Sequence, residues 1–290
     1  EFLAGYNIFK EAMVRRFWSR QPHSQIRPLL LQKLYPYIKD LATGGSYLNA
    51  FFGEGLTDTG SPFYSHAVRW RNNSRTKRFF SSELHADLAG AASPLDAITL
   101  PEQFHTWHPL HQAQYLEITI FLSEYLLSSQ GDRVGMAHSI EGRYPFLDYR
   151  VIEFSNRIPA EYKLRGLTEK FILRKLAARW LPEEIWRRPK RPYRAPIHRS
   201  FFNAGTLETT LELLSESKLN QTGYFKPGAV TQLVNKAVKG AKLSETDDMA
   251  LAGMLSTQLV HHHFVDHFHI PEPLGAGDDV KVVVDSRVIH

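Results

Sequence analysis

Apolar residues along this chain recur at three- and four-residue spacings far more often than in strict alternation, the pattern of helices that turn one face inward. Ile8, Phe9, Ala12, Met13 and Phe17 predict one or two helices over 6–40, punctuated by Pro22 and Pro28. Residues 43–65, rich in Gly, Ser and Thr, read as a surface loop anchored by Tyr47, Phe51, Phe52 and Phe63. Short helical pieces follow at Asp87 to Ala92 and Leu95 to Leu100. A stronger amphipathic pattern covers 112–128 through Tyr115, Leu116, Ile118, Thr119, Leu122, Tyr125 and Leu126. Residues 130–150 break it and concentrate charge. Residues 168–180 predict a helix with Thr168 as N-cap and Phe171, Ile172, Leu176 and Trp180 as its buried stripe. Further helices are predicted at 206–216, 227–239 and 246–268. Val280 to Ile289 is β-branched and reads as a short hairpin or an unpaired tail. The expected architecture is one mostly helical body over 1–270 with a tail at 271–290.

Composition narrows the picture. Of 290 residues 43% are hydrophobic, enough to offset the ordering entropy of a folded body. No apolar run reaches the roughly 18–20 residues of a membrane span, so no membrane partner is expected. The chain has no cysteine, which excludes disulfide frameworks, thiolate metal sites and cysteine nucleophiles, and fits a cytoplasmic setting. The opening Glu1-Phe2-Leu3-Ala4-Gly5-Tyr6 lacks the features of a signal peptide and is expected of a fragment or processed piece. A net charge of +5 is a mild basic excess that suits an anionic partner.

The densest candidate chemistry lies between Gly131 and Asp148. Asp132, Arg133, Glu141, Arg143 and Asp148 sit there among apolar residues, where unpaired ions are costly. They read as a buried structural ion-pair network or as a direct ligand site. Lys170, at the start of a predicted helix that follows Gly166, reads as part of a small anion site, because a cation is otherwise disfavoured there. The alternative is a surface lysine paired with Glu169 or Glu161. Arg187 to Arg194 is a proline-stiffened basic run with one aromatic, Tyr193; a nucleic-acid role is not favoured. His263 and His267 would share a helix face at a zinc-like spacing, but Phe264 stands where H-E-x-x-H needs Glu, so no metal ligand is assigned. No G-x-S-x-G elbow, P-loop or G-x-G-x-x-G is present.

The run Asp132-Arg133 through Met136-Ala137-His138-Ser139-Ile140-Glu141-Gly142-Arg143-Tyr144-Pro145-Phe146-Leu147-Asp148 closely resembles a signature of glutamine-dependent asparagine synthetases. Lys163-Leu164-Arg165-Gly166, Glu169-Lys170-Phe171-Ile172-Leu173-Arg174, Leu181-Pro182-Glu183-Glu184-Ile185 and Arg188-Pro189-Lys190 are similar to that family in the same order. So are the opening Glu1 to Tyr6 and the late Met249-Ala250-Leu251. The resemblance covers most of the chain.

It implies the helical C-terminal portion of an α/β synthetase domain of the adenine-nucleotide-hydrolase-like, PP-loop ATP pyrophosphatase type. It implies an ATP- and magnesium-dependent reaction in which a carboxylate, with aspartate expected, is adenylylated and then amidated by ammonia from glutamine. Lys170 matches the lysine that contacts pyrophosphate and takes the catalytic role. Lys190, Glu1 and Arg143 are assigned to ATP and pyrophosphate binding, and Glu141, Asp148, Asp132 and Arg133 to scaffolding. The family's S-G-G-x-D-S loop, S-G-D-G-G-D segment and glutaminase domain are not in this sequence. A complementing half is therefore an expected partner, and a homodimer is left open. Pro192 replaces a glycine of the usual R-P-K-x-G-F, which leaves the acyl acceptor open. The competing reading is a non-catalytic, partner-binding remnant with Phe2, Leu3 and Phe9 exposed.

Overall fold

The computed structural model describes residues 1–35, 45–190, 197–270 and 273, with the side chains of 45–48 excepted. These residues are mostly helical, as the spacing of apolar positions predicts. The chain divides into two compact units, Glu1–Arg75 with Ala91–Ala195, and Thr76–Gly90 with Pro196–His290. The sequence suggests one body because the units interleave along the chain, so no single linker composition marks a boundary.

The first unit is organised on α1, Asn7–Ser19. Ala4, Ile8 and Phe9 pack with Ala160, Leu164 and the Leu110 and Ala113 of α2, Pro109–Leu116. Val14 and Trp18 pack with Leu31, Leu34, Phe52 and Leu56. Charged residues of α1 are buried as well, and each is satisfied. Arg69 pairs with Glu11 at 2.6 Å, while Arg15 donates to the carbonyls of Phe52, Glu54 and Tyr64 at 2.9, 2.8 and 2.9 Å. Phe9 is fully buried and Phe2 and Leu3 are half-buried, so the opening residues are not the exposed apolar surface of the remnant reading.

Several local expectations are corrected. Gly45–Gly53 is a helix inside the expected loop, because burial of Phe52, edge-to-face on Phe51 at 4.8 Å, outweighs weak local propensity. After α2 the chain continues as a π-helix over Glu117–Arg133. Its i→i+5 bonding rotates successive side chains away from a 3.6-residue stripe, so of the predicted face only Leu116 and Leu122 are buried and Tyr125 is exposed. Leu176 and Trp180, expected in a buried stripe, are exposed.

The second unit has its own core. Val230, Leu233 and Val234 of α3, Pro227–Val238, meet Leu251 and Met254 of α4, Glu245–His261, with Phe79, Leu219 and Phe225. Ser244 caps α4 by accepting from the Asp247 amide. Beyond α4 one π-type turn covers His262–Asp266. The Val280 to Ile289 run lies outside the described residues. Among the described residues no helix is long and apolar enough to cross a membrane.

Candidate active site

A two-residue hairpin places the central residues. β1, Leu164–Arg165, pairs antiparallel with β2, Thr168–Glu169, so that Leu164 faces Glu169. Gly166 turns the chain with φ +60°, a conformation glycine adopts without a side-chain clash. The helix that follows is Phe171–Ala177. Thr168 is thus a strand residue and not the predicted N-cap. Lys170 takes the cap position instead, in left-handed backbone at φ 52°, ψ 36°.

Three contacts define where Lys170 sits. Its amide donates to the Leu3 carbonyl at 3.2 Å. Its side chain runs against Gly5 so closely that a Cβ there would lie 2.4 Å from Lys170 Cε. Its neighbour Glu169 accepts from Lys10 at 3.1 Å and from Arg174 at 2.5 Å, and all three side chains are largely buried. Burial alone would raise the Glu169 pKa, but its backbone hydrogen bond and these two cations hold it below the usual carboxylate value.

Arg174 also reaches toward the second lysine, donating to the carbonyls of Trp186 and Arg188 at 2.9 and 3.2 Å. Lys190 lies two residues further on, with its ammonium 5.4 Å from the Tyr6 ring centre. Burial first, and the charge of Lys190 second, lower the Lys170 pKa. Glu1 acts on Lys170 in the opposite sense. Burial first, and the charge of the Glu1 carboxylate second, push the Tyr6 phenol up to about 12. Glu1 Oε1 is buried and has no hydrogen-bond partner. Lys170, Lys190 and Glu1, far apart in sequence, are therefore neighbours.

Sequence reasoning missed a polar relay behind Glu1. Gln114 donates through one amide nitrogen to the carbonyls of Glu1 and Phe2, at 2.6 and 2.8 Å. Its oxygen accepts from the Lys163 ammonium at 3.2 Å, which fixes the orientation of the amide. Lys163 is only 2% exposed, and burial lowers its pKa to about 8. The available signal was Gln114 itself, a polar residue on the apolar side of α2.

The remaining predicted residues do not join this group. Glu141 and Arg143 pair at 3.1 Å with side chains 69% and 82% exposed. Asp148 caps the helix Tyr149–Arg157 and pairs with Arg150 at 2.7 Å, which lowers its pKa. Arg133 donates to Ser129, and Asp132 lies at the end of the π-helix. No hydrogen bond or ion pair among the described residues links these five to Lys170, Lys190 or Glu1. The expected buried network is absent because its apolar surroundings, Met136, Ile140, Tyr144 and Phe146, are themselves exposed and supply no low-dielectric shell. Arg187 pairs with Glu183 and stacks on Trp186, whereas Arg191 to Arg194, with Pro192 and Tyr193, lie outside the described residues.

A family model described as asparagine synthase matches residues 1–262. Bacillus subtilis asparagine synthetase (glutamine-hydrolyzing) 1 is 25% identical over 239 residues, 81% of this chain and 35% of that protein. A Mycobacterium tuberculosis protein provisionally named an asparagine synthetase (glutamine-hydrolyzing) is 27% identical over 278 residues, 94% of this chain and 39% of that one. The Penicillium rubens amidase chyE is 33% identical over 138 residues, 45% of this chain and 20% of its own length. The chain thus spans between 20% and 39% of the length of these relatives. No solved structure matches it. With a family match over residues 1–262, the chain belongs to the asparagine synthase family.

Proposed function

We propose that this chain forms the phosphate-gripping part of a ligase that uses ATP to convert a carboxylate, aspartate being the expected one, into an acyl-adenylate and amidates it with ammonia from glutamine. The observation that carries this reading is that Lys170, packed on Gly5 and tied to the Leu3 carbonyl, and Lys190, beside the Tyr6 ring, both lie against the opening segment, whose Glu1 has a buried, unpaired oxygen. When the acyl-adenylate forms, negative charge builds up on the departing pyrophosphate, and fixed cations stabilise that charge without reorganising. Lys170 is held for this task by Gly5, Leu3 and the Glu169 pair, and Lys190 by the carbonyl ties of Arg174.

The unpaired Glu1 oxygen is a hard, anionic donor of the kind magnesium takes, alongside waters and phosphate oxygens. Glu1 would hold that ion, whose charge would further neutralise the phosphates. Gln114 orients Glu1 through its backbone carbonyl. The nucleotide loop, the parallel sheet that would carry it and the glutaminase are assigned to polypeptide outside this sequence. Arg143, Glu141, Asp132 and Arg133 are exposed and Asp148 is half-buried, and all five are assigned to the face that such polypeptide would cover.

The test joins this chain to a loop-bearing half and follows AMP and pyrophosphate release with aspartate and ammonia or glutamine. Lys170→Met should lower turnover on the order of a hundredfold or more, the scale on which a transition-state charge stabiliser is lost. Unchanged turnover would refute the role of Lys170. Activity from this chain alone would refute the assignment of the loop elsewhere.

A further inference from the structure

A second cluster of chemistry-bearing side chains lies in the other unit, where α4 ends. His262, Asp266 and His267 each present one ligand-type atom, and the three atoms lie within 4.8 Å of one another. We propose that these residues form a binding site for a divalent transition metal, zinc being the chemical type, separate from the phosphate-binding group.

The backbone explains why this trio meets. Residues five apart point in different directions on an α-helix, but the turn at 262–266 closes through an i→i+5 bond from the His267 amide to the His262 carbonyl, at 3.0 Å. That turn brings the two rings to 4.1 Å between centres. On a regular helix His263 and His267, four residues apart, would share a face instead.

The hydrogen bonding prepares the ligands. His267 Nδ1 lies 3.0 Å from the His262 carbonyl, so this nitrogen carries the proton and Nε2 keeps its lone pair. His262 Nδ1 is buried without a hydrogen-bond partner, a polar atom whose burial a metal would offset. His261 Nε2 stands 3.2 Å from Asp266 Oδ1, and the Tyr224 hydroxyl stands 3.0 Å from His261 Nδ1. With the hydroxyl donating to Nδ1, His261 donates to Asp266 and orients its carboxylate, the kind of outer support typical of metal sites. Lys218 is the competing cation, but at 3.7 Å from Asp266 Oδ2 it is beyond a good hydrogen bond.

Ligand atoms about 2.0–2.1 Å from a tetrahedral zinc stand about 3.3 Å apart, so the side chains would draw together by up to about 1.5 Å on closing the site. Two imidazoles and one carboxylate would leave a coordination position open to water or to a further ligand.

The experiment titrates the full chain with Co2+, read by visible absorption, and with Zn2+, read by calorimetry. One-to-one binding is expected, with a four- or five-coordinate cobalt spectrum. His262→Gln, Asp266→Asn and His267→Gln should each weaken binding by tenfold or more, the usual scale for ligand and support losses. His263→Gln and His269→Gln should leave it unchanged. Helicity by circular dichroism checks the fold, and His267→Gln, at an exposed residue, is the variant least able to disturb it. Absence of saturable one-to-one binding would overturn the proposal. So would equal loss in His263→Gln or His269→Gln, which would mean diffuse chelation by a histidine-rich segment, or retained affinity in His267→Gln.

Discussion

Arg174 donates to the Glu169 carboxylate at 2.5 Å, and the same guanidinium bonds the carbonyls of Trp186 and Arg188. One side chain thereby ties the residue preceding Lys170 to the segment that leads to Lys190. A planar fork of donors can serve several acceptors at fixed angles, which a lysine ammonium cannot. Arg174→Lys should keep the Glu169 ion pair, release the 186–188 carbonyls and weaken binding of inorganic pyrophosphate by roughly tenfold, as expected from losing about 1.5 kcal/mol of charge-assisted hydrogen bonding. Calorimetry with pyrophosphate checks this, and unchanged affinity would remove the bracing role.

Removing Glu169 tests the same knot from its anionic side. Lys10 and Arg174 are both largely buried against it. Glu169→Leu would leave two cations without their partner, and stability should fall by roughly 3–5 kcal/mol in urea unfolding. A loss below about 1 kcal/mol, the range of exposed pairs, would mean that water screens these charges.

Gly5 makes a sharper prediction, because space there decides function more than stability. A Cβ on residue 5 would meet Lys170 Cε at 2.4 Å, and that atom lies near the end of a flexible side chain. Gly5→Ala should therefore move the ammonium at a cost within about 1 kcal/mol, since flexible side chains relieve overpacking at the low end of its range. Pyrophosphate affinity should drop nonetheless. If thermal unfolding and affinity both match the parent, the close approach does not constrain Lys170.

The left-handed backbone of Lys170, with φ 52°, stores strain at the residue assigned the chemistry. Lys170→Gly should relieve it and stabilise the fold by up to about 1 kcal/mol, while abolishing activity of the completed enzyme. Lys170→Met, which retains the strain, should lose activity without that gain. Equal stability of the two variants would contradict the strain argument.

Lys163 predicts a pH dependence whose sign follows from its burial. Its ammonium titrates near 8 in the fold, against 10.5 for the ordinary side chain. Between those values the unfolded chain holds a proton that the folded chain has released, so raising the pH through this window favours the fold. Below it the folded state bears a buried charge. Lys163→Met should be more stable than the parent below pH 8, and the advantage should shrink toward pH 10.5, as read from Tm against pH. It should also loosen Glu1, because Gln114 loses the donor that orients it. A pH-independent difference in Tm would place the Lys163 proton elsewhere.

Local order along the chain was sufficient for the helical class, for the ordered motifs that mark the family and for Lys170 as a candidate anion contact. Each is carried by residues close together in sequence: periodic apolar positions, or a cation beside a turn glycine. The spacing of apolar residues could not reveal a change from α to π bonding, so the stripe over 112–128 was misplaced. It also could not reveal whether the charged run from Asp132 to Asp148 is buried, since burial depends on what packs over it.

Sequence by itself determined the helical class and which family the chain joins, because both rest on short-range pattern. Tertiary structure alone decided that Glu1, Lys170 and Lys190 share one place, that Gly5 leaves room for a lysine, and that Gln114 and Lys163 stand behind them. Glu1 and Gly5 lie more than a hundred positions from Gln114 and Lys170, and such relations exist only where packing has excluded water and brought the charges together.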